Sequence, residues 1–204
     1  MPKLHDVLSK YFRFNRGTDN LPVLAKPLTG REMGRYQLAK AMHALGFVTG
    51  IEIGAGQGVS AKIWCEAMPG LKLVCIDPYI GGMSRTQRHQ NRYRAQAQAC
   101  AKKFGFTLRK MTSMDAVDSF KDESVDFVHI DGNHTFDFVV RDVIQYAPKV
   151  RRGGLVLMHD YCAFKNGGVM KAVDAYTHCH RIDPWYVTQD CNPTAFWERG
   201  VERA

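Results

Sequence analysis

The residues best suited to chemistry lie in two short runs. VDFVHIDGNHTFDF, residues 125–138, begins as a buried strand with Val125, Phe127 and Val128, then delivers Asp131, Asn133 and His134. GLVLMHDY, residues 154–161, begins the same way and ends in His159 and Asp160. Core strands do not end in a carboxylate, an amide and an imidazole without a use for them. An imidazole can accept a proton near neutral pH, and a carboxylate can orient it or bind a cation. His129 sits mid-strand and reads instead as a hydrogen-bonded core histidine.

The elements that must position these groups alternate regularly. A helix over TGREMGRYQLAKAMHALG has Thr29 as its N-cap and Gly46 past its end. Strands then follow at VTGIEIG, LKLVCID, FTLRKM, VDFVHID and GLVLMHD, with helices between them. The helix TFDFVVRDVIQYA carries apolar residues at 136, 139, 140, 143, 144 and 147, a 3.6-residue stripe. After a last helix, GGVMKAVDAYTHC, two short strands, WYVTQ and AFWER, close the pattern. Residues 1–28 read as an N-terminal cap or extension, a short helix over 4–12 and a loop, ahead of one domain over 29–204.

Strand–helix alternation predicts an α/β fold, a parallel sheet with helices on both faces. Ligands of such sheets bind at the carboxyl ends of the strands. Five strand ends then share one rim: Glu52–Gly54, Asp77, Met111–Ser113, Asp131 and His159–Asp160.

Bulk composition narrows the class. The chain has 204 residues, 45% hydrophobic and 24% charged, which suits one globular domain. No apolar run reaches the roughly 20 residues of a membrane span, and the first residues lack a secretory h-region. The six cysteines form no CxxC pair, and Cys75 lies in a core strand, so reduced thiols in a cytoplasmic protein are expected. A net charge of +8 favours an acidic partner: nucleic acid, an anionic small molecule or an acidic polymer.

The first rim loop is Glu52-Ile-Gly54-Ala55-Gly56-Gln57-Gly58. Its glycines allow close approach of backbone to a ligand, and the helix that follows offers unpaired N–H groups. Asp77 follows Gly58 by 19 residues, at the end of the next strand, where a carboxylate can bind both hydroxyls of a ribose.

With EIGAGQG, CIDPY, TSMDAV, DFVHIDGNH and RRGGLVLMHDY in order, the chain resembles the class I S-adenosylmethionine (SAM) dependent methyltransferases over roughly residues 29–199. HIDGNHTF and GGLVLMHDY are most similar to a small-substrate O-methyltransferase branch. The resemblance implies a Rossmann-like seven-stranded sheet ordered 3-2-1-4-5-7-6, its last strand antiparallel. It implies SAM as cofactor, with Gly54, Ala55, Gly56 and Gln57 around its methionine part and Glu52 helping to place it. Asp77 would take the ribose hydroxyls, Pro78 and Tyr79 would lie beside the adenine, and Ser113 and Met114 at the adenine edge. Asp131 and His134 would face the sulfonium.

Methyl transfer is an in-line displacement, so the enzyme aligns the acceptor and removes water. A hydroxyl acceptor needs a base or a metal. His134 and His159 are the bases on offer, with Asp160 to orient one of them. A related catechol-type branch holds a divalent cation on an acid after the fourth strand and an Asp-Asn pair after the fifth. Asp131 matches the first acid, and His159 and Asp160 stand where the pair would be. Imidazole is softer than magnesium prefers, so the departure weighs against that ion. Met83, Tyr161 and Phe164 are placed to line an acceptor pocket.

The resulting expectation is an O-methyltransferase acting on a small or sugar-like acceptor. One alternative is an RNA or other nucleic-acid methyltransferase using the basic helix 84–104, whose Arg85, Arg88 and Arg92 share a face. It lacks the Asp/Asn-Pro-Pro-Tyr/Phe signature after the fourth strand that base-amino enzymes carry. The other is a non-catalytic SAM-binding protein, which would not need the polar groups at 131, 134, 159 and 160.

Overall fold

The computed structural model describes residues 3–16, 21–28, 34–81, 86–163 and 167–200. In chain order the elements are α1 (Leu4–Leu8), β1 (Phe12–Arg16), β2 (Val23–Pro27), α2 (Gly34–Ala44), β3 (Thr49–Ile53), α3 (Val59–Ala67) and β4 (Lys72–Ile76). Then come α4 (Gln87–Phe104), β5 (Thr107–Arg109), α5 (Ser113–Ala116), β6 (Val125–Ile130), α6 (Phe136–Tyr146), β7 (Val150–Met158), α7 (Val169–Cys179), β8 (Trp185–Thr188) and β9 (Ala195–Glu198). Glycine closes α4 where the sequence places it: Gly105 takes the left-handed conformation, φ 82°, and its N–H bonds the Ala101 carbonyl.

The sheet is mixed and has nine strands, ordered β1-β2-β8-β9-β7-β6-β3-β4-β5. This corrects the seven-stranded expectation. The two additional strands come from residues read as a loop. β1 and β2 form an antiparallel hairpin, and β2 pairs in parallel with β8, so the hairpin extends the sheet's edge. The alternation FRFNR is too short to separate from a loop by pattern alone. Its burial is set by long-range partners: Phe12 is buried, and the Phe14 ring packs at a tilt against Tyr186 of β8. β9 runs antiparallel to both β7 and β8.

The pleat sorts side chains onto two cores. Ile51 and Ile53 of β3, Val128 and Ile130 of β6, and Val156 and Met158 of β7 face α6 and α7. Phe127 of β6 and Leu155 and Leu157 of β7 face the α2–α3 side, with Leu38, Met42 and Trp64. The α6 stripe is only partly used. Val139 and Val143 are buried, but Phe136 and Ile144 are about half exposed, while Asp142 is buried. Thr29 and Met83, Arg85 and Phe164 lie outside the described residues.

Candidate functional site

The strand pleat explains why the two polar runs converge. Ile130 of β6 is in register with Met158 of β7, so the residues that follow, Asp131 and His159, stand side by side. Both continue the alternation of Phe127 and His129, and of Leu155 and Leu157, on the α2–α3 face. His159 N–H donates to the Ile130 carbonyl at 2.9 Å and Asp131 N–H to the Ile53 carbonyl at 2.8 Å, which locks the rim together. Asp160 would turn to the other face in an extended chain. Its left-handed backbone, φ 57°, instead accompanies a carboxylate held against His159, and Asn192 Nδ2 donates to its Oδ1 at 3.1 Å. A non-glycine residue in this conformation is uncommon and is held by its surroundings.

His159 Nδ1 lies 3.2 Å from Oδ1 of Asp131 and 3.2 Å from Oδ1 of Asp160. Neither oxygen is in line with the N–H, so these are charge contacts shared between two carboxylates rather than one aligned bond. Burial alone would lower the His159 pKa, but the two carboxylates outweigh it and push the imidazole up to about 9. Asp131 is held well below the usual carboxylate range: burial opposes this, and the adjacent imidazoles of His134 and His159 override it. Asp160 is lowered chiefly by His159. His134 approaches from the α6 side, its Nε2 3.4 Å from Asp131 Oδ1 and 3.8 Å from Asp160 Oδ2. Its side chain is 37% exposed, against 6% for His159. Ligand atoms of Asp131, His134 and Asp160 lie within 4.8 Å of one another. The trio is thus built with His134, while the expected third ligand, His159, presents a proton to both carboxylates. Asn133 is a turn former: its Oδ1 accepts from Thr135 N–H at 2.9 Å, ahead of α6.

The glycine loop divides by task. A Cβ on Gly54 would meet the Asp131 carbonyl oxygen at 2.1 Å, so the neighbouring chain alone requires a glycine here. A Cβ on Gly56 would meet nothing within 4 Å, which leaves that backbone open to a ligand. Asp77 braces the loop, its Oδ2 accepting from Gly56 N–H at 2.9 Å and its Oδ1 from Tyr79 N–H at 2.8 Å. Tyr79 is buried with its hydroxyl donating to the Gly56 carbonyl at 3.1 Å, so it supports the loop from beneath and offers no open ring face to an adenine. Glu52, too, is fully buried. Cys75 Sγ donates to its Oε2 at 3.3 Å, and His129 Nδ1 lies 3.1 Å from its Oε1. Any part it takes in placing a ligand is through the strand it anchors. Ala55 is buried and Gln57 exposed on either side of Gly56, and Pro78 is half-buried at the rim.

Ser113 and Met114 begin α5. Ser113 Oγ donates to Asp142 Oδ1 at 2.6 Å, and Tyr146 Oη donates to the Ser113 carbonyl at 2.6 Å. Burial raises the Asp142 pKa against that bond. Tyr161 is tied down, its hydroxyl donating to Asp174 of α7 at 2.7 Å and its ring edge-on to Trp185. His129 is the expected core histidine, with Nδ1 at Glu52 and Nε2 without a protein partner. The basic helix is exposed along α4, Arg88 and Arg92 included. Eight of the chain's 28 Lys and Arg and none of its 20 Asp and Glu lie in residues 78–114, leaving equal numbers of each sign elsewhere.

Sequence reasoning passed over Arg35. It sits in the first turn of α2, is buried, and its Nη1 donates to Ser60 Oγ. No motif marks it. The clue in the sequence is only an arginine at a position that the helix periodicity assigns to the core.

The family model described as a methyltransferase domain matches residues 51–161, just over half of the chain. The protein y4gI of Sinorhizobium fredii is 29% identical over 133 residues, 58% of this chain; the chain spans only 14% of that relative's length. Among solved structures, the O-methyltransferase from Bacillus cereus in complex with SAH is similar at 12% identity and TM-score 0.60, covering 83% of each chain. The O-methyltransferase TomG from Streptomyces achromogenes, involved in tomaymycin synthesis and solved with SAM, is similar at 14% identity and TM-score 0.54, covering 85% of this chain and 93% of its own. Among the described residues no helix is long and apolar enough to cross a membrane.

Proposed function

Because the chain belongs to the methyltransferase domain family, we propose that it transfers the methyl group of SAM to an oxygen of a small acceptor, with His134 as the base. The observation that carries this reading is the rim cluster of Asp131, His134, His159 and Asp160 beside the open Gly56 backbone. The SAM-bound and SAH-bound O-methyltransferases of similar fold support it. The six free cysteines and the absence of a spanning helix among the described residues fit a cytoplasmic setting.

In this reading SAM supplies an electrophilic methyl on a sulfonium. The chain's own groups do the rest. Gly54–Gln57 and Asp77 hold the cofactor, with Pro78, Ser113 and Met114 along its adenosine side. Asp131 is fixed as an anion beside the reacting centre by His159. With the methyl supplied by the cofactor, His134 Nε2 would accept the proton that the acceptor hydroxyl gives up as its oxygen is methylated. Asp131 and Asp160, 3.4 and 3.8 Å from that nitrogen, stabilise the imidazolium that results. His159 does not serve as the base, since its proton is held to about pH 9 by the same two carboxylates. Asp131, His134 and Asp160 also fit a divalent cation in charge and spacing. When bound there, such an ion would lower the pKa of an acceptor hydroxyl.

Turnover with a panel of phenolic, catechol and sugar hydroxyls, with and without EDTA, separates these roles. We expect activity to survive EDTA and to fall more than about 100-fold in His134→Ala, as a general base contributes roughly 10²–10⁴-fold. Loss in EDTA with recovery on adding Mg2+ or Mn2+ would transfer the role to a cation. Activity indifferent both to chelator and to His134→Ala would refute both.

A further inference from the structure

A second polar group of residues lies on the α2–α3 side of the rim cluster, and the mechanism above does not use it. The start of α2 is brought to the rim by the end of β8. β8 runs parallel to β7, because β9 is antiparallel to both, so Thr188 at its carboxyl end is on the rim. Gly34 N–H donates to Asp190 Oδ2 at 2.5 Å, and Thr188 Oγ1 donates to Asp190 Oδ1 at 3.1 Å. The same loop holds Asn192 on Asp160 and the Pro193 carbonyl on Tyr161 N–H. Arg35 is therefore next to the site, and its charge acts on His159.

Arg35 is buried, 8% exposed, yet no carboxylate pairs with it among the described residues; its one hydrogen bond is to Ser60 Oγ. A buried guanidinium is normally paired, since leaving it unpaired is costly. Its surroundings repeat the pattern. Trp64 stands one turn after Ser60 on α3, its ring centroid 5.1 Å from that of His129, which is 5.7 Å from that of His159. Trp64 Nε1, His129 Nε2 and His159 Nε2 are all buried without a protein partner. Glu52, the buried carboxylate of this face, is engaged by His129 and Cys75. The region thus holds a buried guanidinium and the unpartnered Trp64 and His159 ring nitrogens, with no free carboxylate among the groups described.

We propose that Arg35 and Ser60 form a carboxylate-binding subsite at the α2 edge of the site, supplied by a ligand and not by the protein. This rests on the methyltransferase reading above. Two sources share the chemistry: the methionine carboxylate of the cofactor and a carboxylate on the acceptor. Arginine's planar fork suits either one, because it can engage both oxygens at once.

The test is calorimetric binding of S-adenosylhomocysteine and of 5′-methylthioadenosine, which has the same adenosyl thioether but no amino-acid carboxylate. Wild type, Arg35→Met and Arg35→Lys are compared. If the cofactor is the source, Arg35→Met weakens S-adenosylhomocysteine at least tenfold, Arg35→Lys less, and methylthioadenosine binds all three alike. If the acceptor is the source, both nucleosides bind all three alike, and amide shifts near Arg35 caused by titrating acetate into the S-adenosylhomocysteine-loaded wild type disappear in Arg35→Met. The proposal is overturned if both nucleosides weaken together, which marks a packing role, or if nucleosides and acetate bind Arg35→Met as they bind wild type. A wild type that binds neither nucleoside would sink the cofactor assignment instead, and acetate titration of the free protein would still decide on Arg35.

Discussion

Replacing His159 with glutamine removes the one cation placed between two inward carboxylates. The imidazole's ordinary value is 6.5 and its folded value about 9. At about 1.4 kcal/mol per tenfold, that difference corresponds to about 3 kcal/mol of stability. The folded value is raised, so this contribution is complete below pH 6.5 and is lost as pH climbs through 9. Wild type should therefore exceed His159→Gln by about 3 kcal/mol at pH 6 and by less than about 1 kcal/mol at pH 9. For a domain of this size the gap amounts to roughly 6–12 °C in Tm at the acid end. Other groups that ionise late, such as the Cys65 thiol that burial pushes up to about 11, are common to both proteins and cancel in the difference. Urea unfolding of both proteins at pH 6, 7, 8 and 9 measures it, and the Hε1 resonance of His159 should titrate near 9. Parallel curves across this range, or an imidazole titrating near 6.5, would show that the carboxylates do not hold the proton, and His159 would return as a candidate base.

Gly54→Ala places a Cβ 2.1 Å from the Asp131 carbonyl oxygen at φ 91°, and should cost at least about 3 kcal/mol in urea unfolding. Gly56→Ala meets no atom within 4 Å and should cost only about 1–2 kcal/mol for its left-handed backbone; equal losses at the two positions would contradict the division of tasks in the loop. Asp77→Asn should weaken S-adenosylhomocysteine at least tenfold in calorimetry, and destabilise the protein by about 1 kcal/mol because one bond to the Gly56 or Tyr79 N–H is lost. Unchanged affinity would remove Asp77 from the cofactor site. Mixed RNA and DNA oligomers should show no micromolar binding to α4 between about 50 and 200 mM salt; binding that collapses over that interval and is lost in Arg88→Ala/Arg92→Ala would favour a nucleic-acid acceptor.

Where a feature depends on a short stretch of chain, it was legible without the structure. The strands β3, β4, β6 and β7, the glycine past α4, and the convergence of Asp131 with His159 and Asp160 all follow from periodicity and from the rule that polar strand ends share a rim. The methyltransferase motifs were readable for the same reason, since each sits at one strand end. Where a feature depends on residues far apart in sequence, the pattern was silent or misleading. Residues 12–27 became two strands because β8, more than 150 residues later, offers them an edge. Glu52 and Tyr79 carry the types of ligand-binding residues, but register with Cys75 and His129 buries the first and a bond to Gly56 buries the second. The two histidines of the cluster look alike as letters. One lies between two carboxylates within the fold and keeps its proton, while the other is 37% exposed at the mouth, and only that difference in burial and charged neighbours separates a clamp from a base. Residue type and spacing determine which groups can reach the rim; which of them are desolvated, paired or left open is decided by contacts that exist only when the distant strands and helices have packed.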